Sequence, residues 1–327
     1  MRISIVVPHL GDDVAFEESL VSVLENRPAN SEVCVVHDGT YADPFELADE
    51  VRFVTADSSD LPTLMATGAA AAAGQVVHFI GNGVRATYDW TATAVERFAS
   101  DDVAIVAPLT ISDASGKVAA AGWCDSRRDV SAPVASGFAG SRPDSAGQTR
   151  LGRRQLASVR GVYLTASFWR REALLDAIRG FPTDDWVAAE FAWSRLLTAA
   201  GWRCEIADES LVLGELTSLT PPSGFRRGCT LRGLSNRIDQ RSALTGLMGT
   251  VLAGLSPLRL FSGGGFSEAL GQLASLVCPG AAVRGSLSDQ IGGPQSYEPE
   301  DQRRTIPLST DSSYPRAYAS PSHRRAA

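Results

Sequence analysis

Apolar residues fall in short unbroken runs through the first hundred positions, and between the runs they recur at helical spacing. Ile3 to Val7 is a β-branched run closed by Pro8, the pattern of a buried strand. Gly11-Asp12-Asp13 then supplies a turn and a helix N-cap. Glu17 and Glu18 fall in the first helical turn, where negative charge suits the positive end of the helix dipole. Phe16, Leu20, Val23 and Leu24 give that helix one apolar face. A second strand, Val33–Val36, runs into His37-Asp38-Gly39-Thr40, and Val51–Val54 is a third. An Ala-rich helix over 63–73 is predicted to stop at Gly74. A fourth strand, Gln75–Ile80, leads into Gly81-Asn82-Gly83. A helix over 89–99 precedes a fifth strand, Val103–Ala107.

Strands that alternate with helices, each apolar along its whole length, predict an α/β fold on a mostly parallel sheet covered by helices on both faces. In such sheets ligands bind beyond the carboxyl ends of the strands. His9-Leu10-Gly11-Asp12, His37-Asp38-Gly39 and Gly81-Asn82-Gly83 all occupy those ends, so a ligand crevice is expected there.

Beyond residue 108 the pattern changes. Ser112 to Lys117 reads as a turn between two short strands. Residues 125–155, rich in Ser, Gly, Pro and Arg, read as a long loop of the kind that carries function or moves. A strand over 159–169 and a helix over 170–178 follow. Asp184-Asp185 caps a further helix to Ala200, closed by Gly201. Residues 242–258 carry no charge, but Ser, Thr, Gly and Pro interrupt them, and a membrane span needs about 20 mostly apolar residues. A helical hairpin, amphipathic or in the core, fits better. Residues 286–327 are polar and aperiodic and are predicted to be a disordered tail. The chain thus divides into a domain over 1–219, a helical extension over 220–285 and the tail.

The 327 residues are 44% hydrophobic and 20% charged, a globular balance that excludes collagen-like and fully disordered chains. The net charge of -7 argues against a nucleic-acid partner. The charge is uneven: residues 1–219 hold 18 Arg and Lys against 30 Asp and Glu, whereas residues 220–327 hold 12 Arg against 7 acids. A basic end on an acidic body is either a solvated surface or one that meets an anionic partner such as a membrane. Five cysteines, none at CxxC spacing, speak against a disulfide framework or a structural zinc and for a reducing compartment. The opening MRISIVVPHLGDD has neither the length nor the cleavage site of a signal peptide. The expected location is the cytoplasm, with the basic third resting on the inner membrane face.

Several stretches occur in the order and spacing of a known family. They are Ile3-Ser4-Ile5-Val6-Val7-Pro8, the helical stretch Glu18 to Leu24, Val35-Val36-His37-Asp38-Gly39-Thr40, and Ala69 to Gly74 followed by Val76 to Ile80. Together they resemble the family 2 glycosyltransferases. Val106 to Leu109, with Ser115-Gly116-Lys117 and Ala121-Gly122 beyond, resembles the family's rhamnosyltransferase-like branch. Helix 190–201 with Gly201-Trp202-Arg203 resembles the segment carrying its catalytic acid. The resemblance covers residues 2–215. It implies a GT-A fold with an antiparallel strand after the 81–83 loop. It also implies a nucleoside-diphosphate sugar as donor, a hydroxyl of a polysaccharide or lipid-linked intermediate as acceptor, and inversion at the anomeric carbon.

The resemblance also implies site residues. Asp38 matches the acid that accepts a hydrogen bond from the nucleotide base, with Pro8, His9, Gly39 and Asn82 around it; the local alternative for Asp38 is an Asx-turn. Glu190 matches the catalytic base, which removes the acceptor hydroxyl's proton. Ala189 stands at the first position of the family's acid pair, and a solvated helix glutamate is the alternative for Glu190. The family's DxD motif, which holds a divalent cation on the diphosphate, is here Gly81-Asn82-Gly83. Mg²⁺ or Mn²⁺ wants carboxylates, so no metal ligand carries over and metal dependence is expected to be weak or absent. Leaving-group charge then falls to arginines, either Arg127, Arg128, Arg150, Arg153 and Arg154 in the long loop or Arg226 and Arg227, unless these are merely solvated. Met65-Ala66 and Gly214-Glu215 also depart from the family pattern. His9, His37 and Asp38 form the one remaining set for a transition metal. Two function classes follow: a glycosyltransferase with little or no metal dependence, or a binding or scaffold protein that keeps the fold without the catalysis.

Overall fold

The computed structural model describes residues 1–44, 46–124, 131–134, 142–143, 149–150, 159–222, 224–238, 263–277 and 291–294. Ile3–Pro8 forms β1, and all six of its residues are buried. Asp12 caps α1 (Asp13–Glu25) by accepting the Ala15 amide at 3.1 Å. β2 (Ser31–His37) lies parallel to β1, and β3 (Arg52–Thr55) lies parallel to β2. α2 (Leu61–Ala71) starts two residues earlier than its apolar pattern predicts. Asp60 accepts the Thr63 amide at 2.8 Å, and Pro62 sits in the first turn, where no amide is needed. The helix ends at Ala72, whose backbone is already extended. Gly74 therefore does not stop it; a Cβ there would lie 2.7 Å from the Ser4 amide nitrogen, so the residue serves a close approach to β1.

β4 (Val76–Ile80) adds to the other side of β1, also in parallel. β5 (Arg85–Ala86) follows, then α3 (Ala92–Arg97), which is shorter than the predicted 89–99. Asp89 has φ 56°, a left-handed conformation that a helix cannot run through. β6 (Val103–Ile111) and β7 (Val118–Ala120) form the expected hairpin, closed where the Ser112 amide donates to Lys117 O at 2.8 Å. Two small ribbons follow, β8 (Trp123–Cys124) with β9 (Ala132–Pro133) and β10 (Arg142–Pro143) with β11 (Thr149–Arg150). The predicted strand over 159–169 is confined to β12 (Ala166–Arg170). Gly161 lies flat against the Trp123 ring, where a Cβ would come within 2.1 Å, and the Ala166 amide turns back to Tyr163 O at 3.0 Å. Those two features delay the ladder. α4 (Arg171–Gly180), α5 (Trp186–Ala199), β13 (Arg203–Leu213), α6 (Leu216–Leu219), α7 (Phe225–Ile238) and α8 (Gly263–Val277) complete the order.

Among the described residues the main sheet runs β3-β2-β1-β4-β12-β6-β13-β5, with β7 on β6. β12 is antiparallel to both β4 and β6. β5, the strand after the 81–83 loop, pairs antiparallel with β13, as the family resemblance implies. α2 packs on β1 to β3 and on α4, while α5 packs on α4 and α7. No described helix is long and apolar enough to cross a membrane. Residues 242–262, most of the 125–155 loop and most of the predicted tail lie outside the described residues. Residues 291–294 of that tail pack on the body: Ile291 is buried, and Gly292 O accepts from Trp202 Nε1 at 2.8 Å.

α7 and α8 meet backbone to backbone. A Cβ on Gly228 would lie 1.9 Å from Glu268 O, and one on Gly271 would lie 1.9 Å from Phe225 O. The obstacle is backbone in both cases, so a methyl group forces the helices apart. Gly228→Ala is expected to destabilise the protein by about 3 kcal/mol, by overpacking. Gly233→Ala, on the same helix with nothing within 4 Å, should instead stabilise it by up to about 1 kcal/mol through helix propensity. Denaturant titration of the two variants checks this contrast of sign.

His78, fully buried on β4, stacks on Phe168 with ring centroids 3.6 Å apart and donates from Nδ1 to Ser167 O at 2.9 Å. Burial pulls its pKa down to about 3. The unfolded chain therefore binds a proton below the ordinary 6.5 that the folded chain refuses, and stability falls as pH drops from 6.5 toward 3. The slope is at most about 1.4 kcal/mol per pH unit. Glu190, buried and pushed up to about 7, acts in the opposite sense between 7 and 4.5. The test is therefore the difference between wild type and His78→Phe, which should change by about 2–3 kcal/mol between pH 6.5 and 4.5.

Candidate functional site

The carboxyl ends of β1, β2 and β4 meet at one edge of the sheet. Pro8 is buried there, and the His9 amide donates to Val36 O at 2.8 Å. The His9 ring is also buried. Its Nε2 lies 2.7 Å from Asp13 Oδ1, and it packs 5.0 Å from both the Phe16 and Tyr41 rings. His9 thus belongs to a buried aromatic cluster at the strand ends. Asp38 stays half-exposed. Its Oδ1 accepts from Thr40 Oγ1 at 2.6 Å and from the Thr40 amide at 3.1 Å. Those bonds hold the carboxyl below the usual range. The Asx-turn is therefore formed, with Gly39 at φ +94° allowing it, and the carboxylate still faces outward. Asn82 Nδ2 donates to Asp12 O at 3.1 Å, tying the β4 loop to the start of α1.

Charge around this edge is one-sided. Residues 8–13, 37–44 and 81–83 contain neither Arg nor Lys. Tyr41 lies beneath, its hydroxyl buried without a hydrogen-bond partner among the described residues. Burial, helped by Glu17, Asp43 and Asp13, pushes its phenol up to about 12.

The 81–83 loop is closely packed. A Cβ on Gly81 would lie 2.6 Å from Thr165 Cγ2, and one on Gly83, where φ is +77°, would lie 2.9 Å from Ser218 Oγ. The space that acidic side chains would need at these positions is filled by Thr165 and Ser218. The loop offers a divalent cation no carboxylate; with Nδ2 bonded to Asp12 O, Asn82 Oδ1, buried without a hydrogen-bond partner among the described residues, is its one side-chain oxygen, and it is neutral. These residues do not fit the cation that the family's motif would hold. Among the described residues no group of three or more His, Cys, Asp or Glu could hold a metal ion, so His9, His37 and Asp38 are not gathered as a ligand set.

Glu190 is placed elsewhere. It sits on α5, only 2% exposed, and accepts the Leu164 amide at 3.3 Å. Burial raises its pKa to about 7, against the opposing charge of Arg227 and the Leu164 bond. It is neither solvated nor exposed to a ligand. Beside it opens a cleft of about 490 Å³ whose walls include Pro133, Tyr163, Leu216, Pro221, Arg227 and Glu268. None of the six residues expected from the sequence lines this cleft. Arg227 is 9% exposed, and its Nε lies 3.6 Å from Glu268 Oε2. Arg226 is exposed and pairs with Asp185 at 3.1 Å. The arginines of the 125–155 loop lie outside the described side chains. α6 joins the two places: Leu216 and Thr217 line the cleft, Ser218 meets Gly83, and Ser218 O accepts from Thr165 Oγ1 at 3.1 Å. Sequence reading missed Glu268. The signal for it was there, since it is the one acid between Asp239 and Asp289, set among apolar and small residues.

No protein-family model matches the chain, and no curated protein matches it. Solved structures do. TarS 1–349 of S. aureus aligns at TM-score 0.49 and 12% identity, covering 80% of this chain and 74% of that one. GalNAc-T7, solved with UDP, GalNAc and Mn²⁺, aligns at TM-score 0.50 and 15% identity over 85% of this chain and 55% of its own. The mannosyltransferase PcManGT from Pyrobaculum calidifontis, in complex with GDP-Man and Mn²⁺, aligns at TM-score 0.48 and 17% identity over 86% and 76%. At these identities the likeness is one of fold, and this chain spans about half the length of GalNAc-T7. The fold is of the GT-A type, a mixed sheet flanked by helices.

The packing of the loop gives a direct expectation. Gly81→Asp should cost about 2–3 kcal/mol by overpacking, and added Mn²⁺ should not recover it. Thr165→Gly in the same chain should recover part of the loss, because it removes the atoms that the new Cβ meets. A double-mutant cycle read by denaturant titration measures this coupling.

Proposed function

We propose that the chain is a glycosyltransferase that moves a sugar from a nucleoside-diphosphate sugar to an acceptor hydroxyl, with inversion and without need of a divalent cation. The observation that carries the reading is the GT-A sheet with Asp38 presented at the carboxyl end of β2. There a carboxylate can accept an N–H of a nucleotide base. Pro8, His9, Gly39 and Asn82 shape the crevice around it, His9 from beneath. Inversion needs one displacement, assisted by a carboxylate base. Glu190 is the base that the family resemblance implies, and its raised pKa suits the role. Its position does not, since it is buried off the cleft wall and an acceptor hydroxyl must come within hydrogen-bond reach.

The absence of metal dependence rests on the filled 81–83 loop. In place of a metal, the charge of the leaving diphosphate would be met by arginine, whose guanidinium matches phosphate oxygens. For the acceptor we propose a glycan or lipid-linked intermediate, since Leu216, Pro221 and Pro222 give the cleft an apolar side. Phe225, exposed at the start of α7, extends that apolar character beyond the cleft. The basic C-terminal third would hold the protein against an anionic membrane surface on the cytoplasmic side.

A second reading is a non-catalytic binding or scaffold protein. It is favoured by the same filled loop together with the lack of Arg and Lys at the strand ends. Thermal shift separates the two. UDP-, GDP- and dTDP-sugars are titrated with and without Mn²⁺. At 100 times its Kd, a matching donor should stabilise the protein by about 2.7 kcal/mol, equally with and without the metal. Asp38→Ala should weaken that shift. If no donor stabilises the protein, the scaffold reading holds.

A further inference from the structure

Among the described residues two carboxylates lie near Arg227, and of these Glu268 lines the cleft. Glu190 does not line it and is held by the Leu164 amide. Glu268 lines the cleft wall together with Arg227 and Tyr163. Its Oε2 is 3.6 Å from Arg227 Nε, while Arg227 Nη1 is buried with no hydrogen-bond partner among the described residues. The guanidinium therefore retains hydrogen-bonding capacity beyond Glu268. The backbone that carries the pair is locked, because Gly228, next to Arg227, packs directly on the carbonyl of Glu268. Ala189 leaves α5 without a second acid next to Glu190. α8 brings a carboxylate to the wall from another part of the chain. The cleft abuts the 81–83 loop through α6, so an acceptor in the cleft lies beside the place where the sheet would present a donor's diphosphate.

We infer that Glu268 is the general base of the transfer and that Arg227 is the residue that positions it; this rests on the transferase reading above. In the step, the acceptor hydroxyl oxygen forms a bond to the anomeric carbon. The bond from that carbon to the diphosphate oxygen breaks, and its electron pair leaves with the nucleoside diphosphate. The hydroxyl proton passes to a Glu268 carboxylate oxygen. Glu190 backs Arg227 from the interior and does not touch the acceptor.

The test uses the full chain with water as acceptor and UDP-, GDP- and dTDP-sugars as donors. Nucleoside diphosphate release is followed against pH, and donor binding is measured separately by calorimetry. Glu268→Gln should bind donor within about 3-fold of wild type yet release product roughly 100-fold more slowly, the scale of a lost general base. The acid limb of the wild-type pH profile should vanish in Glu268→Gln and persist, at a lower rate, in Glu268→Asp. Glu268→Asp keeps the charge beside Arg227, so it decides the matter should Glu268→Gln not fold. Release at the wild-type rate in Glu268→Gln overturns this assignment alone. So does an Asp variant without an acid limb. A wild-type chain that binds no donor overturns the transferase reading, and this assignment with it.

Discussion

Strand β12 runs against both of its neighbours, and the rest of the site depends on its register. Ala166 pairs with Ile80 and Phe168 with His78, so the residue before the strand, Thr165, falls on Gly81. The Gly81 amide donates to Thr165 O at 2.9 Å, and the Thr165 side chain occupies the volume a larger residue at 81 would need. The same strand entry presents the Leu164 amide to Glu190 and turns Tyr163 to the cleft wall. One antiparallel insertion thus closes the 81–83 loop and sets the floor of the cleft. Sliding β12 by one residue would also turn Phe168 and Trp169, both fully buried, to the opposite faces.

Charge is buried where α5, α7 and α8 meet. Arg227, Arg232, Glu190 and Glu268 are all 9% exposed or less. Desolvating each ion costs several kcal/mol, and only close, well-directed pairing offsets that. Arg227 Nε lies 3.6 Å from Glu268 Oε2, and Arg232 Nη2 donates to Gln272 Oε1 at 3.4 Å. Apolar residues of similar volume would pack such an interface at least as well. Burial raises the pKa of Glu190 to about 7, so the cost of desolvation shows directly at one of the four.

The parallel half of the sheet was legible in the sequence because its strands are buried on both faces. Such strands read as unbroken apolar runs, and β1, β2 and β4 sit within a residue or two of the expected positions. Helix ends were less legible. The start of α2 depends on which of several polar residues caps it, and the start of α3 depends on a left-handed Asp89. The strand order puts Pro8, Asp38 and Asn82 at strand ends, yet sequence could not say which way each side chain turns. His9 differs from Asp38 in burial only because Phe16 and Tyr41 close over it. Glu268 escaped for another reason. Its partner, Arg227, is forty-one positions away, and a helix crossing brings them together that only Gly228 and Gly271 permit. Glycines in a helix pattern read as weak helix, not as a contact.

The short helix α6 belongs to both halves of the proposed site. Its Ser218 touches Gly83 and Thr165, while Leu216 and Thr217 line the cleft. Just before it, Glu215 accepts from Ser112 Oγ at 2.8 Å and from the Ala114 amide at 3.2 Å, anchoring α6 to the β6–β7 turn. A helix of four residues has little stability of its own, so these contacts hold it in place. Displacing it would open the packed loop and reshape the cleft in one movement. Gly81, Gly83 and Glu215 are therefore physically linked. The two glycines admit α6 and Thr165, and the glutamate fastens α6 where the glycines let it lie.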